Sequence, residues 1–198
     1  KQNICGLESL VGVPGTVGGA LIMNAGAFKG EISTYFVEAK TMTPEGDIKT
    51  YYKGDVEFSY RHSTLPIDEI LIEATFKCKK GNPEKILEEQ KKSSQRRKST
   101  QPLKYRSAGS IFKNPSKKLA AGYLIEKAGL KGINYGGASI SDKHANFIIN
   151  MGDATAADVF HLIVLAKQKV AEKFNINLEL EVKLIGFPEK LKQEVYYA

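Results

Sequence analysis

Cysteine is scarce in this chain of 198 residues, and its two copies, Cys5 and Cys78, lie far apart. Two thiols cannot build an all-cysteine tetrahedral metal site, and neither belongs to a C-x-x-C pair. Reduced thiols of a cytosolic protein are the reading that remains, and no metal site is expected. No apolar run reaches membrane-spanning length. Repeats and low-complexity tracts are also missing. The first residues, 1–6, offer no apolar signal-peptide core and no initiator Met, and run almost at once into a glycine-rich stretch. The expectation is a fragment that begins inside a larger protein.

What is present is an ordinary globular composition, 42% hydrophobic and 26% charged, in a length that suits one large or two small domains. The formal charge of +7 suits anionic ligands such as nucleotides, diphosphates or nucleic acid. The largest basic cluster is Lys91, Lys92, Arg96, Arg97 and Lys98, on a helix expected to open at Asn82 with Pro83 in its first turn. No aromatic residue interleaves it, so it reads more as a solvated helix face than as a nucleic-acid surface.

Residues 7–29 combine glycines with small side chains and read as a tight loop entering a short helix. Strand patterns follow over Tyr35–Met42 and Ile48–Tyr52, joined by the turn Pro44-Glu45-Gly46-Asp47, and again over Glu69–Lys77. The basic helix then runs to about Ser99, and Ser99-Thr100-Gln101-Pro102 breaks it. A domain boundary is expected between about residues 80 and 105. Beyond it, Leu119–Ala128 reads as an amphipathic helix closed by Gly129, and Ala145–Asn150 as a short buried strand. Thr155-Ala156-Ala157-Asp158 resembles a capping box, followed by helical spacing from Val159 to Phe174. Leu178–Ile185 alternates like a final strand. The first half is thus mostly β and the second α+β.

Four places carry chemistry. Ser107–Pro115 reads either as a bland Gly-Ser turn before a strand end or as a site. In the second case Gly109 admits a close approach, Ser110 offers a proton, and Lys113 with Asn114 holds an anionic ligand. Gly15-Thr16-Val17-Gly18-Gly19 could present backbone N–H groups to a phosphate or flat ring, but it matches neither the dinucleotide fingerprint nor the P-loop. Arg61, in Tyr60-Arg61-His62-Ser63, is either a surface side chain or a fork onto a carboxylate or enolate. Glu181, His144 and Asn146 could line a pocket or serve structure alone.

In order along the chain, five blocks resemble the UDP-N-acetylenolpyruvoylglucosamine reductase family, flavoenzymes of bacterial peptidoglycan synthesis. They are Gly12–Ala20 with Met23–Ala27, Tyr60–Ser63, Gly109–Pro115, Ala121–Gly132, and His144–Asn150 with the closing Leu178–Val182. The resemblance implies an α+β chain: the second half of a PCMH/vanillyl-alcohol-oxidase-like FAD-binding domain, then a smaller α+β substrate-binding domain. The expected bounds are 1–80 for the FAD part, 81–105 for the basic helix and linker, 106–186 for the substrate domain and 187–198 for a tail.

The resemblance also implies NADPH-driven, FAD-mediated reduction of the enolpyruvyl ether of a UDP-sugar to UDP-N-acetylmuramate. Arg61 would stabilise the enolate charge, Glu181 would polarise the same carboxylate, and Ser110 would protonate C2. Gly15, Thr16, Val17, Gly18, Gly19, Asn24 and Gly26 would bind the cofactor, and Tyr60, Lys113, Asn114, His144 and Asn146 the substrate. Small molecules are the only partners expected, without nucleic acid or membrane, for a monomer in the bacterial cytoplasm. Two departures stand out. The family's N-terminal flavin domain with its pyrophosphate loop is missing, so the fragment is expected to hold flavin poorly. The short spacing from Arg61 to Ser110 fits the family's form without the extra tyrosine loop. Two other readings are a non-enzymatic nucleotide- or nucleic-acid-binding module and a different FAD oxidoreductase of the same fold.

Overall fold

A computed structural model describes residues 3–27 and 30–196, without the side chain of Glu194. Residues 1 and 2 of the N-terminal reading, Phe28 and Lys29 of the glycine-rich stretch, and the last two residues of the expected tail lie outside the described residues. The chain divides between Arg97 and Lys98 into two units.

In the first unit the elements run β1 (Ile4–Cys5), α1 (Val17–Ile22), β2 (Gly26–Ala27), β3 (Gly30–Glu31), β4 (Phe36–Met42), β5 (Ile48–Tyr52), β6 (Phe58–Ser59), β7 (His62–Ser63), β8 (Ile70–Phe76) and β9 (Lys79–Lys80). β4 is the centre of an antiparallel sheet ordered β5-β4-β8, with register shifts against β8 between Phe36 and Glu38 and between Lys40 and Thr41. Phe36 and Ala39 point inward from β4 and pack with Leu21 of α1, Ile32, Val56 and Leu65. Phe36 meets Phe58 edge to face at 5.2 Å. At one end of the sheet the Glu69 carboxylate accepts hydrogen bonds from Thr41 Oγ1 (2.6 Å), Lys49 Nζ (2.8 Å) and Tyr51 OH (3.1 Å). Both cysteines are free thiols.

Helix α2 (Pro83–Thr100) carries the chain across the boundary between the units. Asn82 Oδ1 accepts from the Glu84 and Lys85 N–H groups, which is why the helix starts where its proline stands. Lys92 of the basic cluster lies 2.8 Å from Glu88 and 3.0 Å from Glu89. The cluster is therefore partly neutralised by the helix that carries it.

The second unit contains β10 (Arg106–Ser110), α3 (Ala121–Lys127), β11 (Asn134–Tyr135), β12 (Ala138–Ile140), β13 (Phe147–Asn150), α4 (Ala156–Phe174) and α5 (Glu189–Tyr196). Its antiparallel sheet is ordered β10-β13-β12-β11. Thr155 and Asp158 form the expected capping box at the start of α4. Leu162, Ile163, Ala166 and Val170 then bury one stripe of the helix against Leu124, Ile125, Ala138, Ile140 and Ile148. Burying the three larger side chains of that stripe contributes roughly 5–9 kcal/mol before the entropy of ordering them is subtracted.

Three readings change. The stretch 178–185 forms no strand: its pairing is a single bridge, Leu180 to Phe112. The alternation survives, with Leu178 and Leu180 in the core, but the partner is only three residues long, 111–113. The short strand begins at Phe147 rather than Ala145, and the Asn146 N–H just before it is given to His144 Nδ1 instead of a ladder. The expected tail holds α5, whose Val195 enters the core, and Phe187 stacks on Phe160 at 5.3 Å. Leu191 and Val195, four apart, give α5 its apolar side.

Candidate active site

Arg61 stands at the second position of the two-residue turn joining β6 and β7. Its φ of 58° is left-handed, a conformation that costs a side-chain-bearing residue about 1 kcal/mol relative to glycine. Strain of this kind is kept where a side chain is needed. The guanidinium lies over the half-exposed Tyr60 ring, 4.9 Å from its centroid.

The glycine-rich stretch behaves as a loop entering a helix. Thr16 is the N-cap of α1, and its Oγ1 accepts from the Gly19 N–H at 3.1 Å. That bond uses the Gly19 N–H, and Gly18 lies inside the helix. The exposed remainder is Gly15, where a Cβ would meet nothing within 4 Å, and Val17, which is 57% exposed.

One cofactor expectation changes here. Asn24 is 1% exposed, and its amide is used internally: Nδ2 donates to Ser59 O (2.9 Å) and Glu31 Oε2 (3.1 Å), and Oδ1 accepts from Ser33 N–H (3.4 Å). It has no surface to give a ligand. Gly26 is set by its hairpin partner, because a Cβ there would lie 3.0 Å from the Gly30 carbonyl oxygen.

In the second unit Ser110 ends β10, an edge strand. The strand is bulged: Ser107 pairs with Ile149 but Ser110 with Phe147. Gly109 supplies the bulge with φ of 84°, and a Cβ there would meet nothing within 4 Å. Within the protein its value is conformational freedom, and the space beside it is open. Ser110 is half-buried, and its hydroxyl makes no hydrogen bond among the described residues.

Beyond Ser110 the chain is held on both sides. Glu181 N–H donates to Ile111 O and Lys113 N–H to Glu179 O, each at 2.8 Å. On the other side the Asn146 carboxamide bonds both backbone polar groups of Phe112, and Asn146 O accepts from the Ile111 N–H at 2.9 Å. Asn146 is 3% exposed, so it positions this segment. Lys113 Nζ is paired with the exposed Glu179 carboxylate, a residue on the same face as Glu181. Asn114 Oδ1 accepts from the Ala121 N–H at 3.0 Å and so caps α3, whose own N-cap, Ala120, offers no side-chain acceptor. His144 Nδ1 accepts from the Asn146 N–H at 3.2 Å, and burial pushes its imidazole pKa down, so the ring is neutral near pH 7.

Thus Ser110, Lys113, Asn114, His144, Asn146 and Glu181 fall in the second unit, and Tyr60, Arg61 and the glycine-rich residues in the first. Sequence reasoning missed Glu179 as the partner of Lys113 and the bond from Ser63 Oγ to the Ile22 carbonyl at 3.0 Å. The shared face of Glu179 and Glu181 was the available signal for the first; nothing local signalled the second.

Comparison with known proteins identifies the family. Residues 101–185 match the family of the UDP-N-acetylenolpyruvoylglucosamine reductase C-terminal domain. The chain is 45% identical over 194 residues to the UDP-N-acetylenolpyruvoylglucosamine reductase of Streptococcus uberis, covering 98% of this chain and 64% of that protein. It is 50% identical over 189 residues to the reductase of the same name from Caldicellulosiruptor bescii, covering 94% and 60%. The crystal structure of the Thermus caldophilus reductase superposes with a TM-score of 0.80 at 39% identity, covering 91% of this chain and 64% of that one. Fold and site define an α+β chain whose second unit is a reductase C-terminal domain. The chain belongs to the UDP-N-acetylenolpyruvoylglucosamine reductase family. It spans somewhat under two thirds of the length of these relatives.

Proposed function

We propose that this chain is the substrate-binding and flavin-proximal part of an oxidoreductase of peptidoglycan synthesis. The reaction is NADPH-dependent, FAD-mediated reduction of UDP-N-acetylglucosamine-enolpyruvate to UDP-N-acetylmuramate. The observation that carries the reading is Ser110. Its hydroxyl makes no hydrogen bond among the described residues, at the end of an edge strand whose continuation, 111–113, is held by Asn146 and the 179–181 segment, inside the region matching the family's C-terminal domain.

The exposed stretch around Gly15 fits a flat, partly apolar ring, since nothing occupies the space where a Cβ would stand and Val17 offers an apolar surface. Gly15, Thr16, Val17, Gly18 and Gly19 would hold FAD, which supplies the hydride for C3 of the enolpyruvyl group. In this reading the first unit is the C-terminal part of a PCMH/vanillyl-alcohol-oxidase-like FAD-binding domain, with boundaries near 80, 105 and 186. Arg61 stabilises the negative charge that develops on the substrate carboxylate and at C2. Glu181 polarises the same carboxylate. Ser110 gives its proton to C2; a hydroxyl is a weak acid in water, but an enolate is basic enough to accept from it. Tyr60, Lys113 and Asn114 bind the UDP-sugar, with the Lys113 ammonium exchanging Glu179 for phosphate. His144, neutral, and Asn146 keep the 110–113 segment in place. The protein acts as a monomer in the bacterial cytoplasm, and the Glu88 and Glu89 partners of Lys92 weigh against a nucleic-acid surface on α2.

The full-length gene product is expected to purify yellow, with NADPH-reduced flavin that reoxidises under anaerobic conditions on adding the enolpyruvyl sugar nucleotide. A colourless product, or flavin that stays reduced, overturns the reading.

A further inference from the structure

We infer that Asn24 and Ser63 are positioning residues for Arg61: they clamp the two arms of its hairpin to the C-terminal end of α1. The inference rests on the role proposed for Arg61 and deepens it. The β6–β7 hairpin has two residues per strand and a two-residue turn, too little to fix its own geometry. The turn residue itself sits in a left-handed conformation. Its shape must therefore be imposed from outside.

The anchors lie on both arms. Asn24 Nδ2 donates to the carbonyl of Ser59, two residues before Arg61, at 2.9 Å. Ser63 Oγ donates to the carbonyl of Ile22, two residues after Arg61, at 3.0 Å. Asn24 and Ser63 are 1% and 4% exposed, so both bonds are shielded from water. Ile22 and Asn24 flank the end of α1, where Asn24 turns the chain with φ of 41°. The residue at 24 must accept that conformation and also carry a donor. Glycine supplies only the first and aspartate only the first; asparagine supplies both. The same motif that ends the glycine-rich block thus sets where the arginine points.

The test uses the full-length holoenzyme and follows the two half-reactions separately by stopped-flow absorbance. Ser63→Ala and Asn24→Asp are expected to slow flavin reoxidation by the enolpyruvyl substrate about 10-fold or more, leaving flavin reduction by NADPH within 2-fold. In an Arg61→Ala background neither change should slow reoxidation further. Equal slowing with and without Arg61, or equal slowing of both half-reactions, overturns the clamp. Ser63→Ala carries the test should Asn24→Asp not fold. A second readout needs no turnover: the Arg61 backbone amide resonance should move in Ser63→Ala, and an unmoved resonance overturns the inference. If Arg61→Ala itself leaves reoxidation unchanged, the proposed reaction role of Arg61 fails, while the resonance still judges the clamp.

Discussion

Asn146 takes the place of a neighbouring strand for Phe112. Its Nδ2 donates to the Phe112 carbonyl at 2.8 Å, and its Oδ1 accepts from the Phe112 N–H at 3.0 Å. One side chain thus completes the pairing that β13 cannot, just before the segment turns toward Lys113. Asn146→Ala would leave both groups buried without partners. The expected loss is about 2–4 kcal/mol of stability, measured by urea unfolding. Hydrogen exchange should quicken first at the Phe112 amide. A variant as stable as the parent would show that Asn146 does not hold this segment.

Arg61 separates stability from activity. Arg61→Gly removes a left-handed conformation that glycine adopts freely, so the variant should unfold at the same temperature or up to a few degrees higher. Its reductase turnover should fall about 10²–10³-fold, the scale of losing one group that stabilises developing charge. Calorimetry and turnover on one preparation check both signs together.

Ser110→Ala removes a hydroxyl that makes no hydrogen bond among the described residues, so the melting temperature should stay within about a degree. Product formation should disappear while flavin reduction by NADPH persists. Loss of both half-reactions together would end its candidacy as proton donor.

Glu69 predicts an acid-sensitive sheet. Hydrogen bonds from Lys49 and then Thr41 hold its carboxyl below the usual carboxylate range. A folded-state pKa below the unfolded one means the stabilisation is fully present above the ordinary Glu value, about 4.3. It fades as pH falls through the lower folded value. The urea midpoint should therefore drop below about pH 4.5 in the parent and drop less in Glu69→Gln.

What could be read from sequence was local. Thr155 and Asp158 lie three apart, Asn82 and Pro83 are adjacent, and Leu162 to Val170 keep one spacing, so each signal sits within a few residues of its effect. The candidate site residues were named by motif, but their surroundings could not be. Asn146 finds Phe112 34 residues away, and Asn24 finds Ser59 35 residues away. A carboxamide's choice between ligand and backbone is made by tertiary placement, which no window of sequence contains. The alternation in Leu178–Ile185 reported which side chains are buried, and it could not report that the partner was too short for a ladder.

The bulge at Gly109 also fixes parity. From Ser107 to Ser110 the edge strand advances three residues while β13 advances two, from Ile149 to Phe147. The odd residue exchanges the two faces for everything that follows. Beyond it Ile111 and Phe112 both enter the core and Lys113 comes out beside Glu179. A chain one residue shorter at this place would lose the bulge and would meet β13 one residue out of step from there on.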